Sequence, residues 1–251
     1  MKTFTIISNG WGVQTFTLAA MAALGEIEKP DAIVHADTTH ESVLTYDFAE
    51  RWTPFLTKHG LNVVTVCDEK AASKLLDDSI QTFIPAFTEY GQARRQCTER
   101  WKIAPVRRWL QENRKGLPVR QMMGISLDEF QRMRVSDVKY IENVYPLVEK
   151  RMTRADCIKW LESHGLEVPP KSACAFCPYH NMNAWRKTRE IPADWEKAIK
   201  VDNHIRDLRS PEKLYLHPAR KPLEEVDLRT PQEKGQMELW DAVCDGGVCW
   251  V

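Results

Sequence analysis

Two stretches of this 251-residue chain combine residue types and spacings that can do chemistry. The first is Cys174-Ala-Phe-Cys177, whose thiols stand three residues apart, close enough to grip one metal ion or cluster. Two thiolates do not complete a tetrahedral site, so further ligands must come from elsewhere. Soft thiolates admit zinc and iron–sulfur alike. The second stretch is Ser8-Asn9-Gly10-Trp11-Gly12-Val13-Gln14-Thr15, which joins an apolar strand to a helix. A glycine-containing bend can turn several backbone N–H groups into one concavity, and the helix adds the positive end of its dipole. Together these suit a phosphate. The Gly-Lys-Ser/Thr ending of a P-loop is absent, and Thr15 stands where a dinucleotide fingerprint needs its third glycine. A plain turn at a sheet edge is the competing reading.

The elements that must position these residues follow from the apolar pattern. Thr3–Ser8, Ala32–Ala36 and Asn62–Cys67 read as buried strands of β-branched residues. Val13–Leu24, closed by Gly25, and Thr45–His59, closed by Gly60, read as helices between them. Short β-α-β-α-β connections predict a parallel, doubly wound sheet. Residues 70–100 read as a long loop with a short helix, and Lys102–Asn113 as a helix with Pro105 near its start. Arg120–Ile125 is a fourth strand, and Thr153 caps a helix over Ala155–His164. After Val168-Pro169-Pro170 the character changes to Trp-bearing helical segments around Trp185 and Trp195. The expected organisation is an α/β domain over 1–168 and a mainly helical, cysteine-containing region over 169–251.

Lys+Arg and Asp+Glu both number 35, so a net charge of zero removes long-range attraction to nucleic acid as a global property and leaves only a local basic surface. No apolar run reaches the ~20 residues of a membrane helix. The stretch MKTFTIISNG is too short in apolar residues for a secretion signal, and a cytoplasmic chain is expected. Seven cysteines, an odd number, argue for metal or redox use over a disulfide framework. Cys67, within a strand, reads as a small hydrophobe, and His35 as a core histidine. Asp37 and Asp128 follow predicted strands, at the edge where open α/β sheets bind ligands. Asp128 is a candidate for magnesium or a ribose hydroxyl, against a role in capping the next turn. Lys102, Arg107 and Arg108 share one helix and would hold substrate phosphates or form a solvated face.

Several motifs in order resemble one family. The bend Ser-x-Gly-x-x-x-Gln-Thr resembles the pyrophosphate-binding loop Ser-Gly-Gly-x-Asp-Ser of adenine nucleotide alpha hydrolase-like proteins, without its second adjacent glycine and its acidic residue. His35-Ala-Asp37-Thr38 resembles their Asp-Thr-Gly strand ending. Cys97-Thr-Glu-Arg-Trp-Lys102-Ile-Ala-Pro105 is similar to a Cys-x-x-x-x-Lys-x-x-Pro segment of phosphoadenylyl-sulfate reductases and of the DNA phosphorothioation ATPase. Gly124-Ile-Ser-Leu-Asp128-Glu129 with Arg132, and Pro146-Leu147 followed by Thr153 and Asp156, resemble later motifs of the same group. The likeness spans roughly residues 3–180.

The resemblance implies a Rossmann-like domain with Ser8, Gly10, Gly12, Gln14 and Thr15 on the phosphates of ATP, accompanied by Mg2+. It implies Asp37, Thr38, Gly124 and Lys102 around the same nucleotide. It adds Cys97 to Cys174 and Cys177 as ligands of a 4Fe–4S cluster, with Cys157 expected as the fourth and Cys244, Cys249 or His180 as alternatives. Zinc is the second choice of metal. The leading expectation is adenylation of an acceptor followed by sulfur transfer, with a nucleic acid or a sulfur-donor protein as partner. A sulfonucleotide reductase is the first alternative, in which Cys249 or Cys244 attacks sulfur; the tail reads Cys244-Asp-Gly-Gly-Val-Cys249 where those enzymes have Glu-Cys-Gly-x-His. A non-catalytic nucleotide or nucleic-acid binding module with structural zinc is the other.

Overall fold

The computed structural model describes residues 2–73, 75, 83–209, 211–230 and 232–234, so Cys244 and Cys249 lie outside the described residues. The chain divides into two compact units, Met1–Ser73 with Cys97–Cys174, and Lys74–Gln96 with Ala175–Val251. The division thus falls after Cys174 rather than after residue 168, and the segment 74–96, expected within the first domain, goes with the second.

The first unit runs β1 (Phe4–Asn9), α1 (Val13–Leu24), β2 (Ala32–Asp37), α2 (Val43–Lys58), β3 (Val63–Cys67) and α3 (Glu69–Ser73). The chain leaves for β4 (Phe87–Thr88) and β5 (Gly91–Gln92) of the other unit. It returns through a π-helical turn (Thr98–Ile103) into α4 (Ala104–Asn113), β6 (Val119–Met123), a 3-10 turn (Leu127–Arg132), β7 (Ile141–Val144), α5 (Pro146–Glu149) and α6 (Arg154–Ser163). The five long strands are parallel and lie in the order β3-β2-β1-β6-β7. This is the doubly wound arrangement the sequence predicts.

Alternation along β1 explains both layers. Neighbouring residues of a strand point to opposite faces. Ile7, flanked by Ile33 and Met122 in the adjoining strands, packs beneath apolar residues of α1, α2 and α6. Ile6, Ala32, Val34 and Val119 face the other way, onto Val106 and Leu110 of α4. With both faces covered, the central strands must be apolar throughout. Gly25 ends α1 in the left-handed region at φ 81°, and Thr153 with Asp156 forms a reciprocal capping box on α6.

The strand β7 was not anticipated. Ile141-Glu-Asn-Val144 offers only two apolar residues and sits at the sheet edge, where the burial that makes a strand legible is least. No helix among the described residues is long and apolar enough to cross a membrane.

In the second unit α7 (Met182–Glu190) starts at Asn181, whose side chain accepts from the Ala184 N–H, and α8 (Pro192–Ile205) starts with proline in its first turn. Buried Asp202 of α8 accepts from the N–H groups of Leu216 and Leu223 and from the Arg206 guanidinium, tying the loop after α8 to the helix. The helical character expected after the cysteine knuckle is therefore present.

Candidate functional site

Strand order reverses between β1 and β6, so the crevice beyond their C-terminal ends is where an open sheet of this kind takes a ligand. The bend after β1 fills one side of it. Asn9 Oδ1 accepts from the Trp11 N–H at 2.9 Å, a local turn that reverses the chain. The left-handed residue of the bend is not a glycine but Trp11, at φ 57°. Its indole is 2% exposed and sits among Phe16, His35 and Phe48. Gly10 and Gly12 both face Ser172 at a distance where a Cβ would make only an ordinary contact, and the Ser172 hydroxyl donates to the Gly10 carbonyl. Part of the bend is thus covered by Ser172.

The N-terminus of α1 begins at Gly12, which carries no side-chain cap. The first N–H groups of a helix have no partner within it, and this helix starts at the C-terminal end of β1. Thr15 Oγ1 braces the bend, accepting from the Gly10 N–H at 3.3 Å and donating to the Gly12 carbonyl at 3.2 Å. Gln14 crosses to the loop after β6, donating to Ser126 Oγ at 3.3 Å and to Glu129 at 3.2 Å. Gly124 closes the other side: a Cβ there would stand 2.4 Å from Thr15 Cγ2 and 2.9 Å from the Thr15 nitrogen. Ser8 pairs in the ladder with Val34 and Met123, just behind this bend. Ser8, Gly10, Gly12, Gln14, Thr15 and Gly124 are therefore one neighbourhood.

The end of β2 forms a second. Asp37 accepts from the Tyr46 hydroxyl and the Thr39 N–H, both at 2.7 Å. Burial, then the Asp37 carboxylate, pushes the Tyr46 phenol far above its ordinary range, so it stays a donor. Thr38 donates to Glu41 at 3.3 Å and lies 3.6 Å from Cys174 Sγ. An antiparallel bridge between Glu41 and Cys174, with the Ser42 N–H on the Ala173 carbonyl, holds the segment 172–174 in place. His35, as expected, is a core histidine: its Nδ1 faces the Asn9 carbonyl and burial lowers its pKa.

Lys102 was expected among phosphate ligands. Its ammonium instead meets Glu41 Oε1 at 3.0 Å, and the Glu41 side chain is almost wholly buried. Burial works against the Lys102 charge, but Glu41, Cys174 and Cys97 together outweigh it and raise its pKa. The same ammonium thus feels both sulfurs, from positions 97 and 174. The π-helical turn is the local cause: a turn closed by bonds five residues apart sets Cys97 at its start and Lys102 on the following coil. Among the described residues Glu41 Oε2 and Asn9 Nδ2 are buried polar atoms without a hydrogen-bond partner. Glu41, Tyr46 and Ser172 were not singled out from the sequence; their partners lie too far along the chain for any local pattern to carry the signal, except for Tyr46, nine residues from Asp37. Arg107 and Arg108 are taken by Asp137 and Asp68, so no basic cluster forms around Lys102.

Cys157, expected as the fourth metal ligand, is a core residue. It is fully buried in the cluster under α1 and α6, and burial pushes its thiol up to about 11, against a hydrogen bond from Thr17 that lowers it. We expect iodoacetamide at pH 8 to leave Cys157 unmodified in the native protein and to label it once denaturant is added, as read by peptide mapping. Native labelling as fast as that of an unfolded thiol would remove it from the core. Cys177 follows Cys174 by three residues but belongs to the second unit. Among the described residues no group of three or more His, Cys, Asp or Glu side chains is placed to hold a metal ion. Asp128 is exposed and accepts from the Arg154 N–H at 3.0 Å, so its partner is the start of α6.

No family model and no curated protein matches the sequence. Among solved structures the chain is similar to phosphoadenylyl-sulfate (PAPS) reductase from Candida auris, determined as a phosphate complex. The two share 15% identity with a TM-score of 0.47, over 67% of this chain and 76% of that one.

Proposed function

We propose that this chain is an adenine-nucleotide-binding enzyme that activates an acceptor oxygen by adenylation and then exchanges that oxygen for sulfur. The observation that carries the reading is the uncapped start of α1 at the switch point of the sheet, flanked by Thr15 and Gly124. The backbone of Gly10–Thr15 would take the phosphates of ATP with its Mg2+, and the end of β2 at Asp37 and Thr38 would take the adenosine. In the first step the acceptor oxygen attacks the α-phosphorus, the bond to the β-phosphate oxygen breaks, and pyrophosphate leaves with the electron pair. The acceptor proton goes to solvent. In the second, a donor at the oxidation level of hydrosulfide forms a bond to the activated acceptor, and AMP departs carrying the exchanged oxygen. No net oxidation or reduction accompanies the pair of steps.

The thiols are proposed to hold an iron–sulfur cluster, with zinc as the second choice. Cys97 and Cys174 belong to the same unit and both act on the Lys102 ammonium, and they are proposed as two of the ligands. The described residues do not complete the set, so no step is derived through a metal. When bound, such a cluster supplies sulfide or electrons. Anaerobic purification with iron, sulfide and zinc measured on one sample decides between the two metals.

The nucleotide chemistry has its own test. Incubation with ATP and Mg2+, water standing in for the acceptor oxygen at the α-phosphorus, followed by chromatography of the nucleotides, is expected to yield AMP and pyrophosphate in equal amounts. Formation of ADP and phosphate instead, or no retention of ATP, would overturn the reading.

A further inference from the structure

We propose that the β4–β5 hairpin is a contact for single-stranded nucleic acid, with Tyr90 stacking on a base and Arg94 and Arg95 holding phosphates. The inference names the acceptor class of the sulfur transfer proposed above and rests on that reading for its purpose.

The hairpin is held firmly at its root. Phe87 exchanges both backbone hydrogen bonds with Tyr215, at 2.8 and 2.9 Å, Ala93 donates to Ala86 at 2.8 Å, and Gln96 donates to Phe83 at 2.9 Å. The tip is only Glu89 and Tyr90, between Thr88 and Gly91, and the Tyr90 N–H donates to Thr88 Oγ1 at 3.1 Å. Gly91 takes φ 142°, a conformation other residues rarely adopt, and so lets the turn be this short. On this braced tip the Tyr90 ring is 88% exposed. An aromatic ring held in water by a rigid turn contributes nothing to the fold it stands on.

Its neighbours say what would cover it. Glu89, Gln92, Arg94 and Arg95 are all exposed, so the ring is not part of an apolar patch of the kind a protein partner buries. Arg94 and Arg95 make no ion pair among the described residues, whereas Arg206 and Arg229 of the same unit are engaged by Asp202 and Asp227. The Arg95 guanidinium lies 5.3 Å over the ring of Tyr179, which orients it and leaves its donors free. An exposed aromatic ring followed four and five residues on by two cations without ion pairs is the combination that binds a strand without sequence preference: stacking for any base, guanidinium for the backbone. Since the chain has no net charge, such binding must be local.

The test is fluorescence anisotropy with labelled mixed-sequence single-stranded DNA and RNA, and a duplex control, across a salt series without ATP. Wild type is expected to bind one or both single strands more tightly than duplex, with affinity falling as salt rises. Tyr90→Ala should weaken binding by about five- to a hundredfold with the salt slope unchanged, and Tyr90→Phe should bind as wild type. Arg94→Gln with Arg95→Gln should reduce the slope of log affinity against log salt by about 1.4, two phosphates at ~0.7 each. These residues lie on an exposed turn, so the variants should melt with the parent. Absence of salt-dependent binding to either strand, or wild-type binding by both variants, would overturn the proposal. Because no nucleotide is present, that failure is separate from a failure to form AMP.

Discussion

Trp11→Ala lowers the unfolding free energy by about 3–5 kcal/mol, the range for deleting a buried aromatic side chain. The indole is almost fully buried and touches both neighbours that build the α1–α2 layer, Phe16 and Phe48. Against a total stability of about 5–15 kcal/mol, that loss leaves little. The distinguishing outcome is the comparison with glycine. Ordinarily a larger void is worse, and Trp11→Gly removes one methyl group more than alanine does. Here the backbone is left-handed at φ 57°, a region that costs an L-residue about 1–2 kcal/mol and glycine nothing. Trp11→Gly is therefore expected to be the milder change, and Trp11→Phe milder than both. Urea melts of the three variants decide the order, and a glycine variant clearly less stable than alanine would show that the bend relaxes out of the left-handed region. The tryptophan thus holds the bend in a shape its own backbone disfavours, and burial offsets the strain. Both small variants should lose ATP retention along with stability.

The legible parts of this chain were those set by local pattern. Apolar runs ended by Gly25 and Gly60 mark the first three strands and two helices within a residue or two, because a parallel strand buried on both faces has no polar alternation to blur it. Thr153 and Asp156 announce α6 in the same local way. What was not legible is long-range. Thr38 and Cys174 lie 136 residues apart and Lys102 and Glu41 lie 61 apart, and no window along the sequence contains either pair. The left-handed position in the first bend falls on Trp11 and on neither glycine beside it, since a ring that fills the core can hold what a glycine merely permits. Cys157 is the instructive case among the cysteines. With Leu161 four residues on, it marks one buried face of α6, a periodicity that separates it from Cys174, which lies in an extended segment beside a polar network.

Gly124→Ala tests the nucleotide site at its tightest point. The new Cβ would stand 2.4 Å from Thr15 Cγ2, 2.9 Å from its nitrogen and 3.0 Å from its Cα. Rotating Thr15 away from the first contact is no escape, because Thr15 Oγ1 links the Gly10 N–H to the Gly12 carbonyl, and the other two contacts are backbone. The start of α1 must move away from β6, which is the place proposed to grip the phosphates. We expect a loss of about 1–3 kcal/mol in stability, as for other overpacked positions, and a fall of at least about tenfold in ATP affinity, equivalent to ~1.4 kcal/mol. Thr15→Ser in the Gly124→Ala background removes only the Cγ2 contact, so it should recover part of the stability and little of the affinity. The counter-experiment is Gly10→Ala. A Cβ there meets nothing nearer than Ser172 Oγ at 3.9 Å, an ordinary contact, so this glycine in the bend itself is expected to tolerate alanine. If Gly10→Ala proves the more damaging for ATP binding at equal stability, the phosphates approach the bend more closely than they approach the β6 side, and the site is centred on Gly10.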